Sequence, residues 1–276
     1  MNLLQGVSKS INEILSDSRI VQKVGIIFGI NFILHIISLI LQVIAITSTL
    51  TSGSGIGEEF DPTYIFASFV LPIFVQLLTL PVWLYIKGYT YQIANNIRAE
   101  NTLDILPEHD NPKRTLSFGG IYLTISYTLT IPLAIASILP VMFALNMSTE
   151  WLISSGIEVF LGLYAGLIFA AVGFGTALFI INSVIVPCLI YVYLKKKSLI
   201  AAYNAANVFR VISASWKQWL LVIGISLAMN VVISILNLVL CCMGPIIIPL
   251  TQTLAVIVTG TLIGLVYNNL DKEINI

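Results

Sequence analysis

KGYTYQIANNIRAENTLDILPEHDNPKRTLSFG, residues 87–119, is the longest polar interval in the chain, and apolar runs long enough to cross a bilayer flank it on both sides. It carries Arg98, Lys113 and Arg114 together with Glu100, Asp104, Glu108 and Asp110. With Lys87 that makes eight charges in a short stretch, which place it in water. Its reading fixes the plan of everything around it.

Outward from this interval, charge is scarce. Of 276 residues 58% are hydrophobic and 9% charged, against about a quarter charged in a soluble domain. Thirteen basic residues balance thirteen acidic ones, so no charge excess points to nucleic acid or to an acidic substrate. Five intervals hold no charge at all: Val24–Gly57, Pro62–Ile86, Thr115–Thr149, Val159–Leu194 and Gln218–Leu270. A bilayer core about 30 Å thick needs roughly 20 helical residues, so these intervals hold five to seven spans. The chain reads as an all-α polytopic membrane bundle. Its lipid-facing surface has the bilayer as partner, and its spans and cytoplasmic face are expected to meet other membrane proteins.

The first residues lack the continuous apolar core and small-residue cleavage site of a signal peptide. Leu3, Leu4, Val7, Ile11, Ile14 and Leu15 share one helical face opposite Lys9, Asn12, Glu13 and Asp17, which predicts an amphipathic helix on the membrane surface. Spans are expected at about 24–44, 64–86, 121–145, 175–194, 219–240 and 246–267. A Gly/Ser loop, Thr51–Tyr64, joins the first two, and a tight CCMGP turn joins the last two. A second surface-lying helix is expected at Ser198–Trp216, where apolar and polar residues alternate at helical spacing. The chain is thus one integral membrane domain over 1–276: surface helix 1–22, span pair 23–86, cytoplasmic segment 87–119, span pair 120–197, surface helix 198–217 and span pair 218–270.

Val159–Leu194 is too long for one span and slightly short for two with a turn. Orientation decides. Lysines and arginines near span ends stay on the cytoplasmic side, and a single crossing puts all thirteen of them there, with both termini. A second crossing would put Lys195–Lys197, Arg210 and Lys217 outside. The span is then about 175–194, broken from what precedes it near Gly173 and Gly175. Trp151–Ala171 becomes a re-entrant, tilted or interfacial helix on the outer side. Gly25 with Gly29, Gly162 with Gly166 and Gly260 with Gly264 have the G-x-x-x-G spacing that lets helices approach closely. A faint echo links Ala94–Glu100 with Tyr267–Glu273, each following two spans.

Residues able to carry chemistry are few. His35 is the one histidine inside a span. A neutral imidazole can ligate a metal or a pigment's magnesium, but positions i+3 and i+4 are Ser38 and Leu39. A hydrogen bond to a neighbouring helix is the plainer account. His109 stands among acidic residues without the spacing of a cation loop, and reads as part of a solvated acidic turn beside Lys113 and Arg114. Asn31 and Asn182 lie in spans, where interhelical hydrogen bonding is the usual role. Cys188, Cys241 and Cys242 have neither disulfide nor metal spacing. No catalytic constellation, phosphate-cradling loop or cofactor motif stands out. With every Asp, Glu, Lys and Arg outside the proposed spans, an energised pump is disfavoured. Prolines at 72, 81, 132, 140, 187 and 249 leave passive passage of a neutral or lipid-like solute open. A non-enzymatic accessory, scaffold or assembly subunit is the favoured reading.

Several positions together resemble an uncharacterised family of prokaryotic polytopic membrane proteins, catalogued as domain of unknown function 4013. They are Gly88-Tyr89 at a span end, Arg98, Leu106-Pro107-Glu108, Asp110 and a glycine, Gly119 or Gly120, opening the next span. Ala201-Ala202-Tyr203 and Trp216–Trp219 add to the likeness. The resemblance implies a prokaryotic cytoplasmic membrane, or an internal membrane continuous with its topology, and this span plan, with no catalytic role for any residue. Tyr89, Arg98, Pro107, Glu108 and Asp110 become candidates for docking a partner. The apolar residues of Gly88–Lys113 are expected to pack on the base of the bundle, leaving Glu108 and Asp110 on display.

Overall fold

A computed structural model describes residues 3–52, 71–100, 105–145, 157–239 and 244–274. Helices account for nearly all of them, and no strand occurs among the described residues. The expected Thr51–Tyr64 loop beyond Ser52, the start of the second span, Trp151 and most of the CCMGP turn lie outside the described residues. In chain order the helices are α1 (Leu3–Ser16), α2 (Ile20–Ser52), α3 (Leu71–Arg98), α4 (Pro112–Leu145), α5 (Ile157–Ile180) and α6 (Val186–Lys196). They are followed by α7 (Leu199–Ala202), α8 (Ala205–Val239) and α9 (Gly244–Glu273). Among the described residues five stretches are long and apolar enough to cross a bilayer: 20–41, 112–136, 171–196, 205–236 and 246–273. This is a multi-pass helical membrane protein.

Packing divides the chain into two units, Met1–Gly120 with Gly224–Glu273 and Ile121–Ile223 with the last residues. In the first unit α9 is the central helix, packed on α3 and α2. Its glycines make this possible. A methyl on Gly260 would lie 2.7 Å from the Thr90 carbonyl oxygen, and one on Gly264 would lie 2.8 Å from that of Ala94. Each contact advances four residues on both helices, so α3 and α9 run parallel with backbones nearly touching, as small residues allow. Their ends carry the two copies of the echo seen in the sequence. Arg98 forks onto both carboxylate oxygens of Asp271, and Lys272 pairs with Glu100 at 2.9 Å. Asn268 donates to the Arg98 carbonyl and to Glu100. The echo is a matched pair of helix ends bonded to each other.

A second close approach joins α3 to the first turns of α4. A methyl on Gly88 would collide with the Thr115 carbonyl, and one on Gly119 with the Leu84 carbonyl, whereas Gly120 faces open space. Thr115 Oγ1 donates to Gln92 Oε1 at 2.7 Å across the same contact. Only glycine lets two helix backbones come this near.

In the second unit, α5 and α6 are one continuous helical run from Ile157 to Lys196, about 60 Å long at 1.5 Å per residue. The separate outer helix expected at Trp151–Ala171 is therefore not a separate element. Gly173 and Gly175 stay helical, because a glycine costs a helix only about 1 kcal/mol and the apolar run on both sides sustains the ladder. The irregularity comes later, as one π turn at Ile181–Ile185, where the Val186 N–H reaches back to the Ile181 carbonyl. Pro187 follows at once. Its ring would press on the carbonyl four residues back, and a widened turn relieves that clash. Asn182, within the π turn, accepts hydrogen bonds from Tyr122 and Ser126 of α4 at 3.0 and 3.1 Å. This is the interhelical role read for it.

The expected Ser198–Trp216 surface helix is likewise not one piece. Ser198 caps the single turn of α7, then Asn204 accepts from the Ala206 N–H and starts α8 anew. α8 runs from this polar arm straight into the span, with one kink at Ser215 (φ −120°, ψ 22°).

Candidate functional site

The polar interval of the opening is an ordered plug on the first unit. Ile105, Leu106 and Pro107 are buried, the first two in a cluster with Ile14 of α1, Ile27 of α2 and Tyr89, Ile93 and Ile97 of α3. The Tyr89 hydroxyl donates to the Pro107 carbonyl at 3.3 Å, and Asn96 Nδ2 to that of Ile105 at 3.4 Å. His109 is not a solvated turn residue. Its Nε2 sits 3.0 Å from the Lys23 carbonyl, which can only accept, so Nε2 carries the proton. That leaves Nδ1 to accept from the Tyr85 hydroxyl, while the ring stacks on Tyr89 at 5.3 Å.

Four of the five docking candidates are engaged within the chain. Tyr89 and Pro107 are buried, Arg98 is held by Asp271, and Glu108 pairs with Arg19 instead of standing free. Asp110 alone of the five is exposed. The reason is local: α1 and the α1–α2 corner cover this base, bringing Arg19 and Lys23 to the plug. At that corner Asp17 accepts from the Arg19 N–H and from Lys23 Nζ, each at 2.8 Å. The Lys23 ammonium holds the Asp17 carboxyl below the usual carboxylate range, helped by the Arg19 backbone N–H.

The more distinctive site lies between α2, α3 and α9. A partly open cavity of about 440 Å³ is lined by Asn31, Leu34, His35 and Ser38, by Trp83, Ile86, Lys87 and Thr90, and by Gln252, Ala255, Val256 and Thr259. Such a volume falls in the range of small-molecule pockets, roughly 300–1,000 Å³. Asn31 braces its wall, donating to Thr253 Oγ1 at 3.1 Å, and Thr253 donates on to the Pro249 carbonyl. The hydrogen bond to a neighbouring helix expected of His35 does not form with any described residue; its ring faces the cavity instead.

Lys87 is the residue sequence reasoning misplaced. Read as the first charge beyond the second span, it shares this cavity with Leu34 and His35, near the middle of the apolar run Val24–Ile44. Its ammonium lies 5.7 Å from the Trp83 ring centroid. Counting charge-free residues could not reveal this. The signal lies instead in Gly88, whose contact with α4 requires α3 to stay packed beyond Lys87.

The close-approach glycines separate into two groups. Gly260 and Gly264 lie against α3 as described. Gly25, Gly29 and Gly166 have no atom within 4 Å of a methyl placed there, because α2 and α5 turn those faces away from the described chain. The surroundings of Gly162 lie outside the described residues. Among the described residues no three His, Cys, Asp or Glu side chains gather as a metal site would require.

The family model described as "Protein of unknown function (DUF4013)" matches residues 70–242. The chain belongs to this family. No curated protein and no solved structure matches it. The positions that carried the resemblance have structural work in this chain. Gly88 and Gly119 admit the α3–α4 contact, Tyr89 and Leu106-Pro107 form the plug, and Arg98 ties α3 to α9.

Proposed function

We infer that this DUF4013 protein is a non-enzymatic membrane protein that takes a solute into the α2–α3–α9 cavity, as a passive carrier or binder of an amphipathic molecule. The cavity carries this reading. It joins an apolar wall (Leu34, Ile86, Ala255, Val256) to polar groups set well inside the helical run, at His35, Ser38 and Lys87. A polar residue at membrane depth costs free energy that inert packing does not recover, and dry packing would have filled the space. Substituted-cysteine labelling tests it. Ser38→Cys in the full chain, held in vesicles, is expected to react with a small water-soluble thiol reagent, read as a mass shift at that position. Protection of the introduced thiol from both sides would mean a closed, dry cavity and would end the solute reading.

A role as an accessory subunit in a larger assembly is the second reading. Its support is the open face of α2 at Gly25 and Gly29, where another helix could pack as closely as α9 packs on α3. The plug offers it less support, since its acidic and aromatic residues are engaged within the chain. Recovery of a stoichiometric membrane protein under mild detergent would favour this reading. We place the protein in a prokaryotic cytoplasmic membrane with both termini inside, on the distribution of its lysines and arginines.

A further inference from the structure

The arm of the second unit, from Lys195 to Lys217, carries a one-sided charge. Lys195, Lys196, Lys197, Arg210 and Lys217 fall within it, while no Asp or Glu occurs anywhere from residue 159 to residue 270. Lys196, Lys197, Arg210 and Lys217 are exposed and form no ion pair among the described residues.

The same arm leaves large apolar side chains in the open. Ile200, in the single turn of α7, is 87% exposed, and Phe209 on α8 is 74% exposed. These side chains stand on a fixed scaffold. Asn207 Nδ2 donates to the Ala201 carbonyl at 3.0 Å, tying α8 to α7, and Ala202 and Val211 are fully buried on the inner side. Phe209, Trp216 and Leu220 are seven and four residues apart, which puts them on one helical face. All three are exposed. Leu220 already belongs to the apolar span, where an exposed face meets acyl chains, so the stripe runs from lipid out onto the arm.

Arg210 and Lys217, also seven apart, lie beside that stripe, and the Lys217 ammonium sits 5.6 Å from the Trp216 ring centroid. Tryptophan rings gather at the headgroup level of span ends, and lysines gather on the cytoplasmic side of them. Length agrees. α8 runs from Ala205 to Val239, about 52 Å if straight, against a bilayer core of about 30 Å. The kink at Ser215 divides Ala205–Ala214 from the crossing portion.

We propose that the Lys195–Lys217 arm lies in the headgroup layer of the cytoplasmic leaflet and gathers anionic phospholipids there. Ile200, Phe209 and Trp216 dip below the phosphates, and Lys196, Arg210 and Lys217 meet them. An acidic protein would match the charge but not a stripe continuous with the span. An uncharged leaflet would match the stripe but not five basic residues without an acid. A leaflet with anionic headgroups matches both. This inference stands apart from the cavity and does not rest on the solute reading.

The test uses full-length protein in vesicles of equal parts phosphatidylglycerol and phosphatidylcholine, one of the two brominated high on its acyl chains. Tryptophan fluorescence is read, and the difference between the parent and Trp216→Phe isolates the Trp216 signal. Quenching at low salt is expected to show phosphatidylglycerol enriched about tenfold around that ring. The enrichment should shrink severalfold at about 1 M salt, where the Debye length is about 3 Å. Arg210→Gln combined with Lys196→Gln leaves the lysine over the Trp216 ring in place. It is expected to bring the enrichment down to about twofold or less, since each basic residue near an anionic surface is worth about fivefold. Equal quenching by the two brominated lipids at low salt overturns the proposal, as does an enrichment that survives both high salt and the double variant. A Trp216 signal that neither lipid quenches also overturns it, because the arm then stands clear of the bilayer and its charge is left for an acidic protein. If the double variant fails to insert, the salt comparison on the parent decides alone.

Discussion

Lys23 keeps only 4% of its side-chain surface exposed, and a charge so enclosed is tolerated only with a partner. Asp17 is that partner, and the same carboxylate closes the α1–α2 turn through the Arg19 N–H. Replacing Asp17 by Ala is expected to cost about 2–3 kcal/mol, because the lysine loses a charged contact it cannot regain from water. The pH dependence has a definite sign. Since the folded-state pKa of Asp17 is lowered, its contribution is fully present above the unfolded value of about 4 and is lost as pH falls through the lower folded value. Attachment of α1, followed by proteolysis within residues 3–16 or by amide exchange, should hold from pH 7 to 5 and loosen below about 4. In Asp17→Asn the loosening should already be present at neutral pH. An acid-insensitive α1 in the parent would show that the apolar contacts of Ile14 carry the docking alone.

At the scale of elements, the same short motif has opposite meanings on two helices. On α9, a methyl placed on Gly260 or Gly264 would lie 2.7 or 2.8 Å from α3 backbone oxygens, so a side chain there must separate the helices. On α2, Gly25 and Gly29 have empty space. Gly264→Leu is expected to lower Tm in detergent by several degrees or prevent folding, as overpacking costs about 1–3 kcal/mol or more. Gly25→Leu should leave Tm within about a degree. If Gly25→Leu proves as damaging as Gly264→Leu, the open face of α2 is covered by another chain, and the accessory reading gains. The sequence showed the spacing at all these positions, but which partner fills a groove is decided by helices distant in the chain. The motif glycines Gly88 and Gly119 make the same point. In the sequence they stood only at a span end and a span start, whereas the structure uses them to seat α3 against α4.

For the whole molecule, much was legible because one physical rule dominates: backbone in a bilayer must satisfy its own hydrogen bonds, so apolar runs become helices. Helix identity and the amphipathic α1 follow from that rule and from local residues, whereas the π turn before Pro187 and the kink at Ser215 were not read from them. Its limit shows at Lys87. A charge-free count assumes that each charge marks a membrane boundary, yet a lysine that faces a cavity between helices escapes lipid without leaving the span. Only the contacts of Gly88, Thr90 and His35 reveal this. The same reasoning bears on threading. With Lys87 set inside the bundle, the inside-positive argument rests on the remaining twelve basic residues, among them the run Lys195–Lys197. The unbroken course from Ile157 to Lys196 favours one crossing there, since a second would need a turn that the helix does not make. Single cysteines replacing Gly55, which lies outside the described residues, and Lys196 should therefore react with a membrane-impermeant reagent from opposite faces of sealed vesicles. Reaction from the same face would require a seventh crossing and would place Lys195–Lys197 outside, against the energetics that hold lysines on the cytoplasmic side.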